Sequence, residues 1–378
     1  ELNKVISRAK TILKEYPSDL LYYEAIYNFR LKNYEGCERI INLVDFENPE
    51  LIKRHLFLQL KAKLHHYQKN YKSAFNCFAE MNQSIINSSD YRALEAQAYF
   101  DEILSRSKQL KSISETPYHQ ILVESSKDTP TFLIGFPRSG TTLLDTVLRT
   151  HSKIDVIEEK DMLWKALDYL GSSLSILDIE NLSIEELANA KEIYFEELDK
   201  FILNKSSNCI IDKLPLNILD VPIIHKLFPD AKFILALRHP LDSILSSWMQ
   251  LFDLNAAMAN TLELERLVDF YFEAMTILEL SEKRYSLNIH RIRYEDLVID
   301  MKLEVSNLLT FLGLDWENQI EEYQKTALKR KFINTPSYSQ VIEPLYKTAS
   351  YRWVNYRQPL EKYFFKIDKW TKKFGYEL

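Results

Sequence analysis

Along the first 110 residues apolar positions recur at the three-to-four spacing of amphipathic helices, with almost no alternation at the period of two that a half-buried strand shows. This part of the chain is predicted to be all helix, and we place it at residues 1–112. The polar, proline-punctuated stretch 113–130 reads as a linker. From Thr131 the pattern changes. Short apolar runs, "TFLIGF" (131–136), "NCIIDK" (208–213), "KFILALR" (232–238) and "NIHRIRYE" (288–295), read as buried strands. Helical patterns near 141–150, 216–228, 241–252, 262–284, 302–312 and 317–330 separate them. Such alternation predicts an α/β fold over 131–378, a parallel sheet flanked by helices, in which ligands lie at the carboxyl ends of the strands.

The helical part contains a repeat. Ala25, Lys32, Asn33 and Tyr34 recur as Ala62, Lys69, Asn70 and Tyr71, an offset of 37 residues. A small residue, a turn carrying Asn-Tyr and then an amphipathic helix resemble a degenerate tetratricopeptide pattern, whose helix pairs stack and bury their apolar faces together. Such an array either binds a protein, an acceptor or a second copy on its surface, or braces the following domain.

Composition narrows the function. A formal net charge of -6 leaves no overall basic footprint, which argues against a nucleic-acid partner and requires any anionic ligand to be captured by a local pocket. Three widely spaced cysteines, Cys37, Cys77 and Cys209, fit buried thiols in a reducing, cytoplasmic compartment. No run of eighteen apolar residues predicts a membrane span. The chain begins at Glu1 and not at methionine, so a preceding signal or anchor is left open.

Two of only six glycines fall in "GFPRSGTT" (135–142), after one predicted strand and before a helix, the context of an anion cradle. Backbone amides near Ser139, Gly140, Thr141 and Thr142 would face one phosphate, with the two threonine hydroxyls as further donors. Thr141 stands where a nucleotide kinase has lysine, which leaves Arg138 as the cation. In "ALRHPLDSILSSWMQ", Arg238 ends another predicted strand and Ser246 follows eight residues later. The two are placed to grip a second phosphate; taken alone, an arginine there is more often a surface ion-pair partner and such a serine an ordinary helix residue.

Together these stretches resemble the sulfotransferases that use 3'-phosphoadenosine 5'-phosphosulfate (PAPS), and within that family the tyrosylprotein enzymes and the bacterial enzymes with tetratricopeptide repeats. The resemblance covers roughly 131–360. It implies that "PRSGTT" holds the 5' phosphosulfate and that Arg238 and Ser246 hold the 3' phosphate. It further implies that Glu159, 21 residues after Arg138, is the catalytic base, although the Glu-Glu pair by itself reads as a solvated helix start, and that Lys213 touches the transferring sulfuryl group. Ser337 would assist the leaving oxygen, and the loop that carries Gln340 and Val341 would close over the nucleotide. Arg352 is implied at the 3' phosphate and Tyr294 beside the nucleotide, although a strand-end tyrosine there reads equally well as part of the core. The resemblance needs no metal, and PAPS would leave as the 3',5'-bisphosphate. His151 and His239 read as structural.

Departures from the family pattern fall around the lysine, where Asp212-Lys213-Leu214-Pro215 replaces Asn-Lys-Asp-Pro, and at Gln250, which replaces an arginine. Donor binding is implied by what remains; a tyrosyl acceptor is not. The acceptor is expected to be a hydroxyl compound such as a peptide, a saccharide or a small molecule, and Trp164, Tyr169, Trp248 and Phe252 either line its groove or belong to the core. The stretches expected to face the acceptor, around 160–205 and 253–265, carry no recognisable pattern. Competing readings are a P-loop kinase or NTPase and a catalytically dead, nucleotide-binding repeat scaffold.

Overall fold

The computed structural model describes residues 2–12, 18–46, 48, 53–113, 118, 129–171, 174–204, 207–329 and 350–378. Its first part is helical: α1 (Leu2–Ile12), α2 (Ser18–Arg30), α3 (Tyr34–Ile41), α4 (Arg54–Tyr67), α5 (Tyr71–Ile86) and α6 (Ala93–Ile113). The repeated Lys-Asn-Tyr triplets are the turns of two helix pairs, α2–α3 and α4–α5. Lys32 and Lys69 both take left-handed backbone, φ 59° and 60°, which ends the preceding helix. Asn33 and Asn70 then cap the next one, accepting from the N–H of Gly36 at 3.1 Å and of Ser73 at 3.4 Å. The small residues repeat as well: Ala25 and Cys37 in one pair, Ala62 and Ala74 in the other, are fully buried where the helices touch.

The second part alternates: β1 (Thr131–Gly135), α7 (Thr141–Leu148), β2 (Ile154–Glu158), α8 (Met162–Leu170), α9 (Ile176–Glu180), α10 (Ile184–Asp199), β3 (Cys209–Lys213), α11 (Val221–Leu227), β4 (Lys232–Leu237), α12 (Pro240–Trp248), α13 (Leu264–Tyr285), β5 (Asn288–Arg293), α14 (Tyr294–Ile299), α15 (Met301–Leu312), α16 (Tyr323–Lys329), α17 (Arg357–Leu360) and α18 (Phe364–Lys373). All strand pairs are parallel and the order is β2-β3-β1-β4-β5. The predicted parallel α/β architecture is what forms. The chain leaves central β1 to one side for β2 and β3 and returns to the other for β4 and β5, so the carboxyl end of β1 is a topological switch point.

The sheet has one strand more than the pattern predicts. Strand β2, "IDVIE", carries a carboxylate in its middle, and that carboxylate is satisfied internally: Asp155 accepts from the backbone N–H of Leu203 (2.8 Å) and of Asn204 (2.9 Å). Three helices, α8 to α10, occupy the first of the stretches that carried no readable pattern.

Alternate residues of each strand supply two cores. Leu133, Val156, Ile211 and Ile234 pack with α7 and α15 on one face. Phe132, Ile134, Phe233 and Leu235 face the other, where a continuous apolar cluster runs through α13 into Leu58, Phe78, Met81 and Phe100 of the helical layer. Polar ties cross the same seam. Asn82 donates to the Trp248 carbonyl at 3.0 Å, and Arg106 donates to the Leu219 carbonyl and Asp220 at 2.7 and 2.6 Å. Among the described residues no helix is long and apolar enough to cross a membrane.

Candidate active site

The loop from Gly135 to Gly140 leaves β1 at the switch point and feeds α7. Its two glycines are there for contact. A Cβ on Gly135 would come within 2.7 Å of Ser139 Oγ and 2.8 Å of the Ala236 carbonyl on β4. Gly140 has φ 102°, and a Cβ there would meet the Tyr294 ring at 2.9 Å. Gly140 caps α7 without a side-chain hydrogen bond, so the first-turn amides of a fully buried helix have no side-chain acceptor at the cap. Ser139 Oγ is buried with no hydrogen-bond partner among the described residues. Such an arrangement of amides and an orphan hydroxyl suits an anion.

Arg138, Arg238 and Ser246 come together beside this loop. Arg138 takes left-handed backbone, φ 68°, and its Nε donates to Ser246 Oγ at 3.2 Å. Arg238 Nη1 donates to the Arg138 carbonyl at 3.1 Å, and its guanidinium lies over the Tyr294 ring, 4.9 Å from the centroid. Ser247 Oγ ties the Pro137 carbonyl to α12 at 3.2 Å. Two residues absent from the sequence reading hold these groups in place. Buried Glu295 accepts from the His239 N–H at 3.1 Å and from Tyr376 Oη at 2.6 Å, fixing the end of β4 against the start of α14. Asp242 accepts from the Trp353 N–H at 2.8 Å and so positions the segment that carries Arg352.

On the other side of β1, register places Glu158 opposite Lys213. Lys213 is completely buried, and its ammonium donates to Glu158 Oε1 at 3.0 Å and to Glu159 Oε1 at 2.7 Å. Glu159 has φ 49°, and its N–H donates to the Lys213 carbonyl at 2.8 Å. This backbone turns the second glutamate back over the lysine, whereas a solvated helix start would have left it outside. Helix α8 begins only at Met162. Beneath Lys213, Asp212 is buried and accepts from Tyr194 Oη at 2.8 Å; desolvation pushes its carboxyl up to about 7.

Other expected residues fall elsewhere. Ser337, Gln340 and Val341 lie outside the described residues. Arg352 is half-buried, with Nη2 3.7 Å from Met249 Sδ. Trp248 belongs to the core: it packs on Phe75 with ring centroids 4.6 Å apart and donates to the Leu262 carbonyl. Trp164 and Tyr169 are exposed on α8. His151 and His239 make backbone contacts, to the Asp315 and Glu377 carbonyls at 2.9 Å each, in keeping with structural roles. A cavity of about 470 Å³ opens at the seam between α5, Trp248 and α17, but none of the candidate polar groups lines it. The convergent polar side chains at the strand ends locate the chemistry better than this cavity does.

Sequence comparison adds family context. The profile described as Sulfotransferase family matches residues 130–318, half of the chain. An uncharacterised protein of Aquifex aeolicus is 30% identical over 241 residues, covering 61% of this chain and 31% of that protein. Protein-tyrosine sulfotransferase 1 of Danio rerio is 26% identical over 245 residues, covering 61% of this chain and 67% of that enzyme. The match therefore spans about a third of the Aquifex protein and about two thirds of the Danio enzyme. Among solved structures, the sulfotransferase domain from the curacin biosynthetic pathway is similar at 20% identity with a TM-score of 0.46, covering 67% of this chain and 100% of that domain.

Proposed function

The chain belongs to the sulfotransferase family, and on that premise we propose that it transfers a sulfuryl group from PAPS to an acceptor hydroxyl. The observation that carries this reading is the meeting of Arg138, Arg238 and Ser246 at the switch point, one strand away from the Glu159–Lys213 pair. Bound PAPS supplies an activated sulfur-oxygen bond whose leaving group is adenosine 3',5'-bisphosphate. The orphan Ser139 hydroxyl and the two positions where a Cβ would collide fit a backbone that closes on its 5' end. Arg138 stays with the 5' phosphosulfate and helps stabilise the departing bisphosphate, while Arg238 and Ser246 take the 3' phosphate, with Tyr294 beside them and Arg352 behind.

Glu159 receives the acceptor proton while the acceptor oxygen bonds to sulfur and the bond from sulfur to the bisphosphate oxygen breaks. Lys213, held by its two carboxylates, offers positive charge to that departing oxygen. Ser337, Gln340 and Val341 keep the roles the resemblance implies. The scheme assigns no step to a metal ion.

The acceptor is a hydroxyl compound; tyrosyl peptides, saccharides and phenols are the candidates, the first supported by the Danio rerio relative. We assign the chemistry to residues 131–378 and treat 1–112 as a tetratricopeptide-like layer, joined by 113–130, which either binds protein or a second copy on its outer surface or serves as a brace for the catalytic part. Three cysteines without a disulfide support a cytoplasmic setting.

Calorimetry tests the donor assignment. The protein should bind adenosine 3',5'-bisphosphate without metal in preference to ATP with magnesium, and Arg238→Ala should weaken the bisphosphate far more than AMP. The opposite preference would return the kinase reading. Labelled PAPS with a panel of peptides, glycans and phenols then identifies the acceptor, and failure to label any of them would favour the dead scaffold.

A further inference from the structure

The corner that holds Arg138 and Ser246 has a neighbour that neither the phosphate loop nor the sheet supplies. Lys63 lies on α4 of the helical layer, and contacts one turn to either side of it press that helix against the corner. Four residues earlier, Gln59 Nε2 donates to the Met249 carbonyl at 3.4 Å, and Gln59 Oε1 accepts from Lys63 Nζ at 2.9 Å. Three residues later, His66 Nδ1 lies 2.7 Å from Tyr356 Oη, with the two rings parallel. Met249 stands one helical turn beyond Ser246, and Tyr356 one turn beyond Arg352. Arg352 reaches Met249 Sδ, and Arg138 reaches Ser246 Oγ. Lys63 therefore sits on the opposite layer between two contacts to the segments that carry Ser246 and Arg352, and the charges of Arg138 and Arg352 act on its ammonium.

The charge pattern is that of an anion site. Lys63 donates to a neutral amide, and no carboxylate among the described residues pairs with it. Burial, followed by Arg138, Arg352 and Arg30, lowers its ammonium to about 8. Burial and Arg352 lower His66 to about 4, so this ring is neutral at physiological pH. The helix that presents Ser246 has no basic residue in its last turn, and Gln250 just past it turns its amide to the Leu251 carbonyl. A desolvated ammonium beside other cations is held at a cost that a bound anion offsets.

We propose that Lys63 is a donor-binding residue, so that the 3'-phosphate subsite is built by the helical and catalytic layers together. This rests on the PAPS reading above. Calorimetry with adenosine 3',5'-bisphosphate and with AMP, on the full chain and on Lys63→Met, Lys63→Arg and Arg238→Ala, tests it. A lost charge-assisted contact should weaken the bisphosphate roughly 10- to 100-fold in Lys63→Met. AMP binding should be unchanged, and Lys63→Arg should restore the bisphosphate. The thermal midpoint of ligand-free Lys63→Met should not fall, because a like-charge contact has been removed.

In the wild type, bisphosphate affinity should drop between about pH 7.5 and about pH 9.5 as Lys63 loses its proton. The cations that act on it belong to Arg138, Arg352 and Arg30, and guanidinium groups do not deprotonate in proteins, while His66 is already neutral below that window; Lys63→Met should show no such drop. Equal affinities of Lys63→Met and wild type for both nucleotides, with Arg238→Ala still selective, would overturn the role of Lys63 and leave the donor reading standing. Equal weakening of both nucleotides would reduce Lys63 to a structural part. A wild type that does not distinguish the nucleotides would overturn the donor reading itself.

Discussion

Glu159 illustrates how much a single residue's backbone decides. Two consecutive glutamates end β2, and Lys213 bonds both, but only Glu159 sits past the strand in left-handed backbone. That conformation costs a non-glycine residue on the order of 1 kcal/mol or more, and here a backbone hydrogen bond to Lys213 holds it. Glu159→Gln should lower turnover by roughly 10²- to 10⁴-fold with bisphosphate binding nearly intact, as a lost general base does. Unchanged turnover would remove the assignment. Gly140→Ala tests the cradle. It forces a Cβ to left-handed φ and against Tyr294, so a stability loss of about 1 kcal/mol or more is expected, together with weaker nucleotide binding. Arg138 and Arg238 were legible as candidates because each follows a predicted strand, and Ser246 only through its spacing from Arg238 and the family resemblance. Glu295 and Asp242 were not, since their importance lies in buried partners 81 and 111 positions away.

At the scale of elements, four strands, the helical first part and six later helices followed from periodicity, while β2, α8 to α10, α14, α17 and α18 did not. Strand β2 hid because Asp155 breaks its apolar run, and its solution, two backbone donors from the 203–204 turn, is a tertiary fact. The missed helices did leave a signal: Ser175 with Asp178 and Ser183 with Glu186 are capping boxes that open α9 and α10. Strand β3 carries a testable electrostatic consequence. The raised carboxyl of Asp212 means the folded state holds a proton that the unfolded chain has released between about pH 4 and pH 7. Its contribution to stability therefore declines as pH rises through that window. Thermal melts of Asp212→Asn against the wild type should show the variant gaining relative stability from pH 5 to pH 8. A difference that does not change with pH would mean that Asp212 is ionised throughout.

Across the whole molecule, the helical layer and the sheet share one apolar cluster, closed by Trp248 on Phe75 and by Arg106 on the start of α11. Removing residues 1–112 would strip that face of its cover. The remaining chain should lose cooperative unfolding or solubility, read by calorimetric melting and light scattering. A soluble fragment with an unchanged midpoint would show that the layer is dispensable for stability. The 37-residue repeat was legible because its turn chemistry is local. That its second pair reaches the Arg138 corner was not legible, because it depends on how two layers dock.

Glu295 and His239 meet Tyr376 and Glu377 only after the chain has travelled 81 and 138 residues further. A ribosome therefore delivers the phosphate loop, both arginines and the sheet well before it delivers what fastens them. Chains halted near residue 350 should already contain the sheet, yet retain the bisphosphate poorly, and acquire nucleotide affinity only when synthesis adds Trp353 and Tyr376. Donor binding would then report that synthesis has passed Tyr376, and the nucleotide would selectively stabilise chains that carry this fastening segment.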